Sequence, residues 1–292
     1  MAQNDQPTTN AENNGNMDLP AEMFRTGENE KDIVLQMYKD EDRVLKNVDA
    51  KYIEIDDIGL FEGDIALATL AEIEEAKTST IAKGCGIANE EFRWGGKDAT
   101  EVTVPFITVH ELEQKVQAAL AHWESKTPIR FKKRTNEMDF LSFEKLNGCW
   151  SFVGKRGGKQ TISLADGCGL GAAIHEIGHA LGLWHEQSRE DRDEHIEIIN
   201  ENIISSQKHN FDKHILDGTD LGPYDFGSIM HYPATAFSKN GQATIRAKDG
   251  QPIGQRNGLS TGDIEAIRML YRKLAWNSVN VVAVNTGDDK ET

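Results

Sequence analysis

The stretch His175-Glu176-Ile177-Gly178-His179-Ala180-Leu181-Gly182-Leu183-Trp184-His185 decides the reading of this chain. It has the form H-E-x-x-H-x-x-G-x-x-H. Two histidines four residues apart share one face of a helix and can grip a single ion. Glu176 follows the first of them and faces the same cavity, where a carboxylate can take a proton from water activated by a metal. Gly182 can adopt the left-handed backbone that ends a helix, and the turned chain then brings His185 round as a third ligand. Three protein ligands leave one position open, as in a catalytic zinc site rather than a structural one. The spacing therefore implies one Zn2+ per chain, held by His175, His179 and His185, with Glu176 as the base.

Outward from that helix the pattern is of mixed α and β type. Residues 101–109 read as a strand, residues 110–126 as a helix with apolar positions at Leu112, Val116, Ala119, Leu120 and Trp123, and residues 129–133 and 140–146 as short strands. Residues 150–153 and 161–164 flank Gly157-Gly158 like the arms of a hairpin. Beyond His185, residues 194–207 and 263–273 have helical spacing, separated by a turn-rich stretch. Upstream, residues 66–82 also read as a helix, broken by Gly84-Cys85-Gly86. Residues 1–50 read as poorly ordered, because their first thirty positions are polar with little to bury. Residues 51–90 are too few for a core of their own and are expected to lie on the domain that follows, residues 91–276, whose two lobes divide near 183–186. Residues 277–292 read as a flexible tail.

Composition narrows the function. The chain has 292 residues and a net charge of −16, with no Lys/Arg patch, which argues against nucleic acid. No apolar run is long enough to span a bilayer, and the polar N-terminus has no signal-sequence pattern. The three cysteines make an odd count. Cys149 and Cys168 are placed to clip a loop before the histidine helix, which leaves Cys85 over.

A second string, Ser228-Ile229-Met230-His231-Tyr232-Pro233, follows the third histidine by forty-odd residues. In zinc peptidases with the extended histidine motif, a tight turn carrying Met lies beneath the metal. That context makes Met230 an apolar floor and Tyr232 a phenol near the ion, able to ligate it or to donate to an oxyanion.

Together these strings resemble the astacin family of metzincin metallopeptidases, over roughly residues 92–273. The resemblance extends to Glu186 after the third histidine, to Cys149-Trp-Ser-Phe-Val-Gly…Cys168, to Glu186-Gln-Ser-Arg-Glu-Asp-Arg-Asp193 and to Gly254-Gln-Arg…Gly-Leu-Ser…Asp-Ile264. It implies an α+β, two-lobed metzincin fold: an N-terminal mixed-sheet lobe with the active-site helix, and an irregular C-terminal lobe with a C-terminal helix. It also implies a Cys149–Cys168 disulfide, Tyr232 as a displaceable further ligand, Met230 in the turn under the metal, and endopeptidase activity on protein or peptide substrates. The chain departs from the family in lacking cysteines for a second disulfide, in extra sequence at 97–101, and in lacking the usual aromatic near Ile199-Asn200.

Phe61-Glu62-Gly63-Asp64-Ile65 resembles the family's propeptide motif F-x-G-D, which implies a zymogen whose Asp64 occupies the open metal position. The competitor is Cys85, in Lys83-Gly-Cys-Gly-Ile-Ala-Asn89, as a thiolate cap. Activation is then expected by another protease or by self-cleavage near 78–92, after which the new amino terminus locks against Glu186. A catalytically silent zinc scaffold that binds partners through the cleft is the rival, but it has no need of Glu176. Arg246 and Lys248 are candidates for an acid-binding pocket. The family resemblance and the cysteine pair point to a secreted or extracellular protein, and the missing signal pattern to delivery by a specialised secretion system as the alternative.

Overall fold

A computed structural model describes residues 30–39, 44–78, 93–96, 99–213 and 219–272. Its centre is one nine-stranded mixed sheet, to which the N-terminal part and the histidine-bearing part both contribute. In chain order the strands are β1 (Lys31–Lys39), β2 (Val44–Ile55), β3 (Ile58–Phe61), β4 (Ile65–Thr69), β5 (Thr103–Thr108), β6 (Arg130–Lys133), β7 (Phe140–Glu144), β8 (Cys149–Phe152) and β9 (Lys159–Leu164). Their order across the sheet is β1-β2-β3-β4-β8-β9-β7-β5-β6. β1 to β4 form an antiparallel meander. It joins the rest through a parallel pairing of β4 with β8, in which Ile65 lies opposite Ser151 and Ala66 opposite Phe152. β8 and β9 are antiparallel, while β9, β7, β5 and β6 run parallel. The sheet is therefore mixed, with α1 (Leu70–Thr78), α2 (Glu113–Lys126) and α3 (Leu170–Leu181) around it.

Several expectations need correction. Residues 31–39 and 44–55 are paired strands, where residues 1–50 were expected to be poorly ordered; residues 1–29 lie outside the described residues. The run is rich in β-branched and aromatic residues (Ile33, Val34, Tyr38, Val44, Val48, Tyr52, Ile53, Ile55), and pairing with a neighbour fixes it as strand. The helix expected over 66–82 begins only at Leu70. Residues 65–69 are β4, because main-chain pairing to β3 and β8 overrides helical spacing. The helix expected over 194–207 is instead a short α4 (Arg192–His195), β10 (Ile196–Ile198) and a 3-10 turn at Ser205–Phe211. β10 pairs with β11 (Ile245–Ala247), a partner some fifty residues away that local periodicity does not reveal. The last helix, α5 (Thr261–Leu270), starts earlier than expected. Ser260 caps it, accepting from the Asp263 N–H while Asp263 accepts from the Ser260 N–H.

The main core lies between the sheet, α2, α3 and α5, with Trp123, Phe143, Ile162, Leu164, Ile174, Ile177 and Ile267 fully or almost fully buried. The N-terminal meander adds two small clusters that need residues from beyond it. Tyr52, Phe61, Leu67 and Ile73 pack with Trp184, and Ile53, Ile58, Leu60 and Ala66 pack with Trp150 and Phe152. Residues 51–78, the described part of residues 51–90, thus share a sheet and side-chain packing with the residues that follow.

α3 is buried along almost its whole length, from Gly171 to Leu181. Such a helix must be fixed by its own backbone, and three side chains donate to its carbonyls: Trp123 to Ile174 at 3.1 Å, Trp94 to Ala180 at 2.9 Å and Tyr271 to Leu181 at 2.9 Å. Gly182 ends it with φ 115°, and the Leu183 N–H returns to the Gly178 carbonyl at 3.0 Å. The Cys149–Cys168 disulfide, with Cα atoms 5.9 Å apart, ties β8 to the loop entering α3.

The fit at the start of α3 is tight enough to test. A Cβ on Gly171 would sit 1.9 Å from the Arg256 carbonyl oxygen. Alanine gains up to about 1 kcal/mol in helix propensity over glycine, but that contact forces backbone apart, at a cost of about 1–3 kcal/mol or more. Gly171→Ala is expected to destabilise the chain, read as a lower urea midpoint with an unchanged m value.

Candidate metal centre

α3 places His175 and His179 on one face, and the turn at Gly182 returns His185 to the same point. Their rings lie with centroids 4.6 to 5.4 Å apart. The fourth member is Asp64, from the three-residue loop between β3 and β4. Its carboxylate lies 3.3 Å from His175 Nε2, 3.8 Å from His179 Nε2 and 3.1 Å from His185 Nε2. All four residues are buried, and one ligand atom from each lies within 4.8 Å of the others. The loop enters because Glu62 and Gly63 both adopt left-handed backbone, φ 47° and 80°. Gly63 does so freely; Glu62 does so only under constraint from its surroundings.

The group fits a metal ion. Each ring nitrogen on the far side has a partner: His175 Nδ1 donates to the Ile229 carbonyl and His179 Nδ1 to the Leu183 carbonyl, both at 2.8 Å, and His185 Nδ1 donates to Glu62 Oε2 at 2.6 Å. Three Nε2 atoms are thereby left facing inward. His175 and His179 Nε2 lie 3.1 Å apart, and two lone pairs at that distance repel unless a cation stands between them. Both Asp64 oxygens and His185 Nε2 are buried without a hydrogen-bond partner. Three imidazoles and one carboxylate are a four-coordinate zinc donor set.

The electrostatics agree. Burial pushes the Asp64 carboxyl up, but His185 and His175 outweigh it and hold Asp64 well below the usual range. Burial lowers His175 to about 4, and burial likewise holds His179 well below the usual imidazole range. For His185 burial is outweighed by the Asp64 and Glu62 carboxylates, which raise it to about 9. The site thus draws positive charge to the point where nitrogens and carboxylate converge.

Glu176 is fully buried, and neither carboxylate oxygen has a hydrogen-bond partner. Burial, and then the nearby Asp64 charge, raise it well above the usual range. Met230 lies under α3, its sulfur against Gly178. Its turn is pinned by Asp263, which accepts from Ser228 Oγ at 2.6 Å and the Ile229 N–H at 3.0 Å. The Met230 carbonyl accepts from the Glu186 N–H at 3.1 Å. Tyr232 is buried beside His185, ring centroids 4.7 Å apart, and its hydroxyl donates to the Glu62 carbonyl. Glu186 accepts from the Asp225 N–H at 2.7 Å and lies 3.6 Å from Arg189. Burial, partly offset by Arg189, raises its carboxyl to about 8.

Cys85 lies outside the described residues. Arg246 and Lys248 are engaged at the surface, with Glu197 at 3.0 Å and with the Asp193 carbonyl at 2.5 Å. A cation by the centre is Arg256, buried and within electrostatic reach of Asp64 and Glu176. One guanidinium nitrogen donates to the His231 carbonyl at 3.0 Å, while Nε and the other terminal nitrogen have no partner. Sequence reasoning missed Arg256, Glu62 and the anchoring role of Asp263. Each stands inside a string that it did single out, but their burial is set by residues far away in the chain.

The family model for astacin, a peptidase family, matches residues 90–272. Zinc metalloproteinase nas-13 of Caenorhabditis elegans is 44% identical over 177 residues, which cover 59% of this chain and 39% of that protein. High choriolytic enzyme 1 of Oryzias latipes is 42% identical over 179 residues, 58% of this chain and 66% of that protein. Human meprin A subunit beta is 37% identical over 225 residues, 73% of this chain and 30% of that protein. The chain therefore spans less than two thirds of the length of these relatives. The solved structure of high choriolytic enzyme 1, a hatching enzyme zinc-protease from medaka fish, superposes with a TM-score of 0.58 at 40% identity, covering 63% of this chain and 96% of that one. With the family model matched over more than half its length and the metal group within that region apart from Asp64, the chain belongs to the astacin family of zinc peptidases.

Proposed function

We propose that the chain is a zinc-dependent endopeptidase held latent by its own N-terminal hairpin. The observation that carries this reading is the place of Asp64: both oxygens face the three histidines, at the tip of a hairpin whose strand β4 occupies the edge of β8. Residues 51–90 act as the inhibitory segment and residues 91–276 as the catalytic domain.

Zinc, which His175, His179 and His185 would hold, would supply Lewis acidity for activating water and polarising a peptide carbonyl. The chain's own residues supply the rest. β8 gives an extended peptide a main-chain ladder once β4 leaves it. Glu176, beside the first histidine and without a hydrogen-bond partner of its own, accepts the proton of the attacking water and returns it to the leaving amine. Tyr232, freed from the Glu62 carbonyl, donates to the oxyanion. Met230 and Asp263 keep the floor rigid. Extracellular placement is supported by the Cys149–Cys168 bridge, a bond that persists in oxidising compartments.

Cleavage of casein by the purified full chain tests this. Asp64→Ala, or trimming by trypsin between residues 78 and 92, is expected to switch activity on, and Cys85→Ala is expected to leave the chain latent. Glu176→Gln in the trimmed protein is expected to cost about 10²–10⁴ in kcat, the span of general base catalysis. Zinc-loaded, trimmed protein that cuts nothing sinks the reading.

Arg256 gives the cleft a cation with unused donors, which suits a substrate with an acidic side chain near the scissile bond. A hydrogen bond to a charged group contributes about 1.5–3 kcal/mol, so Arg256→Leu is expected to lower kcat/KM for an acidic peptide by roughly ten-fold or more. A neutral peptide of equal length serves as control and is expected to lose less.

Glu186 would receive the amino terminus freed by cleavage. Until then it is a largely buried acid with a raised pKa, so the folded latent chain binds its proton more tightly than the unfolded one does. Stability then falls as pH rises from the ordinary glutamate value through about 8. Glu186→Gln is expected to flatten that fall in the latent chain and to destabilise the trimmed protein, where an ion pair is lost. Parallel thermal melts from pH 5 to 9 separate the two effects, and equal behaviour of both forms counts against the lock.

A further inference from the structure

Glu62 is a second buried carboxylate at the hairpin tip, and nothing in the latency reading requires it. It is fully buried. One oxygen accepts from His185 Nδ1 at 2.6 Å and the other from Ser188 Oγ at 2.7 Å, while its main-chain carbonyl accepts from the Tyr232 hydroxyl. These contacts hold it in left-handed backbone that a glutamate seldom adopts.

The three histidines differ in where their outer support originates. His175 and His179 donate to Ile229 and Leu183, main-chain carbonyls of the same domain. His185 donates to a carboxylate 123 residues earlier, in the segment that activation would remove. A carboxylate behind a metal-bound imidazole fixes the ring, sets its tautomer and makes it a stronger donor than a carbonyl does. Removing such a partner typically costs 10–100-fold in metal affinity.

We propose that Glu62 is an outer-shell residue of the metal site, lent by the N-terminal segment, so that the latent chain holds zinc more tightly than the activated domain by means of Glu62 as well as Asp64. The hairpin then has two separable tasks. Asp64 closes the open position, and Glu62 strengthens His185 from behind. This inference rests on the reading that the trio binds zinc and that residues 51–90 leave on activation.

Zinc affinity, measured by competition with a chromogenic chelator, tests it without reference to peptidase activity. Glu62→Gln in the full chain is expected to weaken zinc binding by about 10–100-fold. Full-length Asp64→Ala keeps Glu62 but has lost the fourth ligand, and it is expected to hold zinc at least about ten-fold more tightly than the trimmed domain. The Asp64→Ala comparison needs no Glu62 variant, so it stands even if Glu62→Gln folds poorly. Stoichiometric zinc in every form, with Asp64→Ala no tighter than the trimmed domain, overturns the inference alone. No stoichiometric zinc in any form overturns the metal-site reading and the inference with it.

Discussion

Three imidazole nitrogens aimed at one point in a buried space are mutually repulsive, and the rest of this molecule is arranged around that fact. His175 and His179 Nε2 lie 3.1 Å apart. Such an arrangement persists only if the rings are held from behind and a positive charge is accepted in front. The holding is done by hydrogen bonds to Nδ1, and through them by whatever fixes Ile229, Leu183 and Glu62. The Met230 turn is therefore more than a floor. It presents the Ile229 carbonyl to His175, and Asp263 clamps that turn while capping α5. A buried helix, a turn and a capping box thus converge on ring orientation.

The same logic accounts for the shape of the N-terminal part. β3 and β4 carry few of the residues that build the main core, and their small clusters borrow Trp184, Trp150 and Phe152. What they contribute is a tight loop with two carboxylates. Its first two residues adopt left-handed backbone, which sends Glu62 behind His185 and Asp64 in front of it. The parallel pairing of β4 with β8 carries the loop to the correct depth: the Ser151 N–H donates to the Asp64 carbonyl itself at 3.0 Å.

How much of this the sequence discloses depends on the range of each interaction. The helix, its end at Gly182 and the convergence of three histidines are written in spacings of three and four residues, so they were legible. So were the β8–β9 hairpin, from its glycine pair, and the final helix, apart from its first turn. The short disulfide came with the family resemblance. The N-terminal strands were not legible, because polar composition masks a strand whose stability comes from a partner. Residues 194–207 were misread because β10 depends on β11, some fifty residues away. Glu62 was quoted as the variable position of a four-residue motif, and nothing local shows that it faces a histidine 123 residues on. Arg256 stands in a turn-like Gly-Gln-Arg-Asn-Gly run, where an exposed cation is the ordinary expectation; its burial comes from α3 and the His231 carbonyl. Arg246 and Lys248 were singled out instead because local sequence does not distinguish a surface cation from a buried one.

The hairpin tip belongs to the same polypeptide as the site that it fills, and this changes what a cut in the chain does. While the two are joined, the loop competes for the cleft at the effective concentration of a tethered group, millimolar or above for a short connection. Cleavage between them leaves every contact around Asp64 and Glu62 intact at that instant. It removes only the tether, and the plug becomes a free peptide present at the concentration of the protein itself. On the proposed latency, dilution would then carry activation through, and the rate at which the four-stranded meander peels from β8 would set how long a cut molecule stays silent.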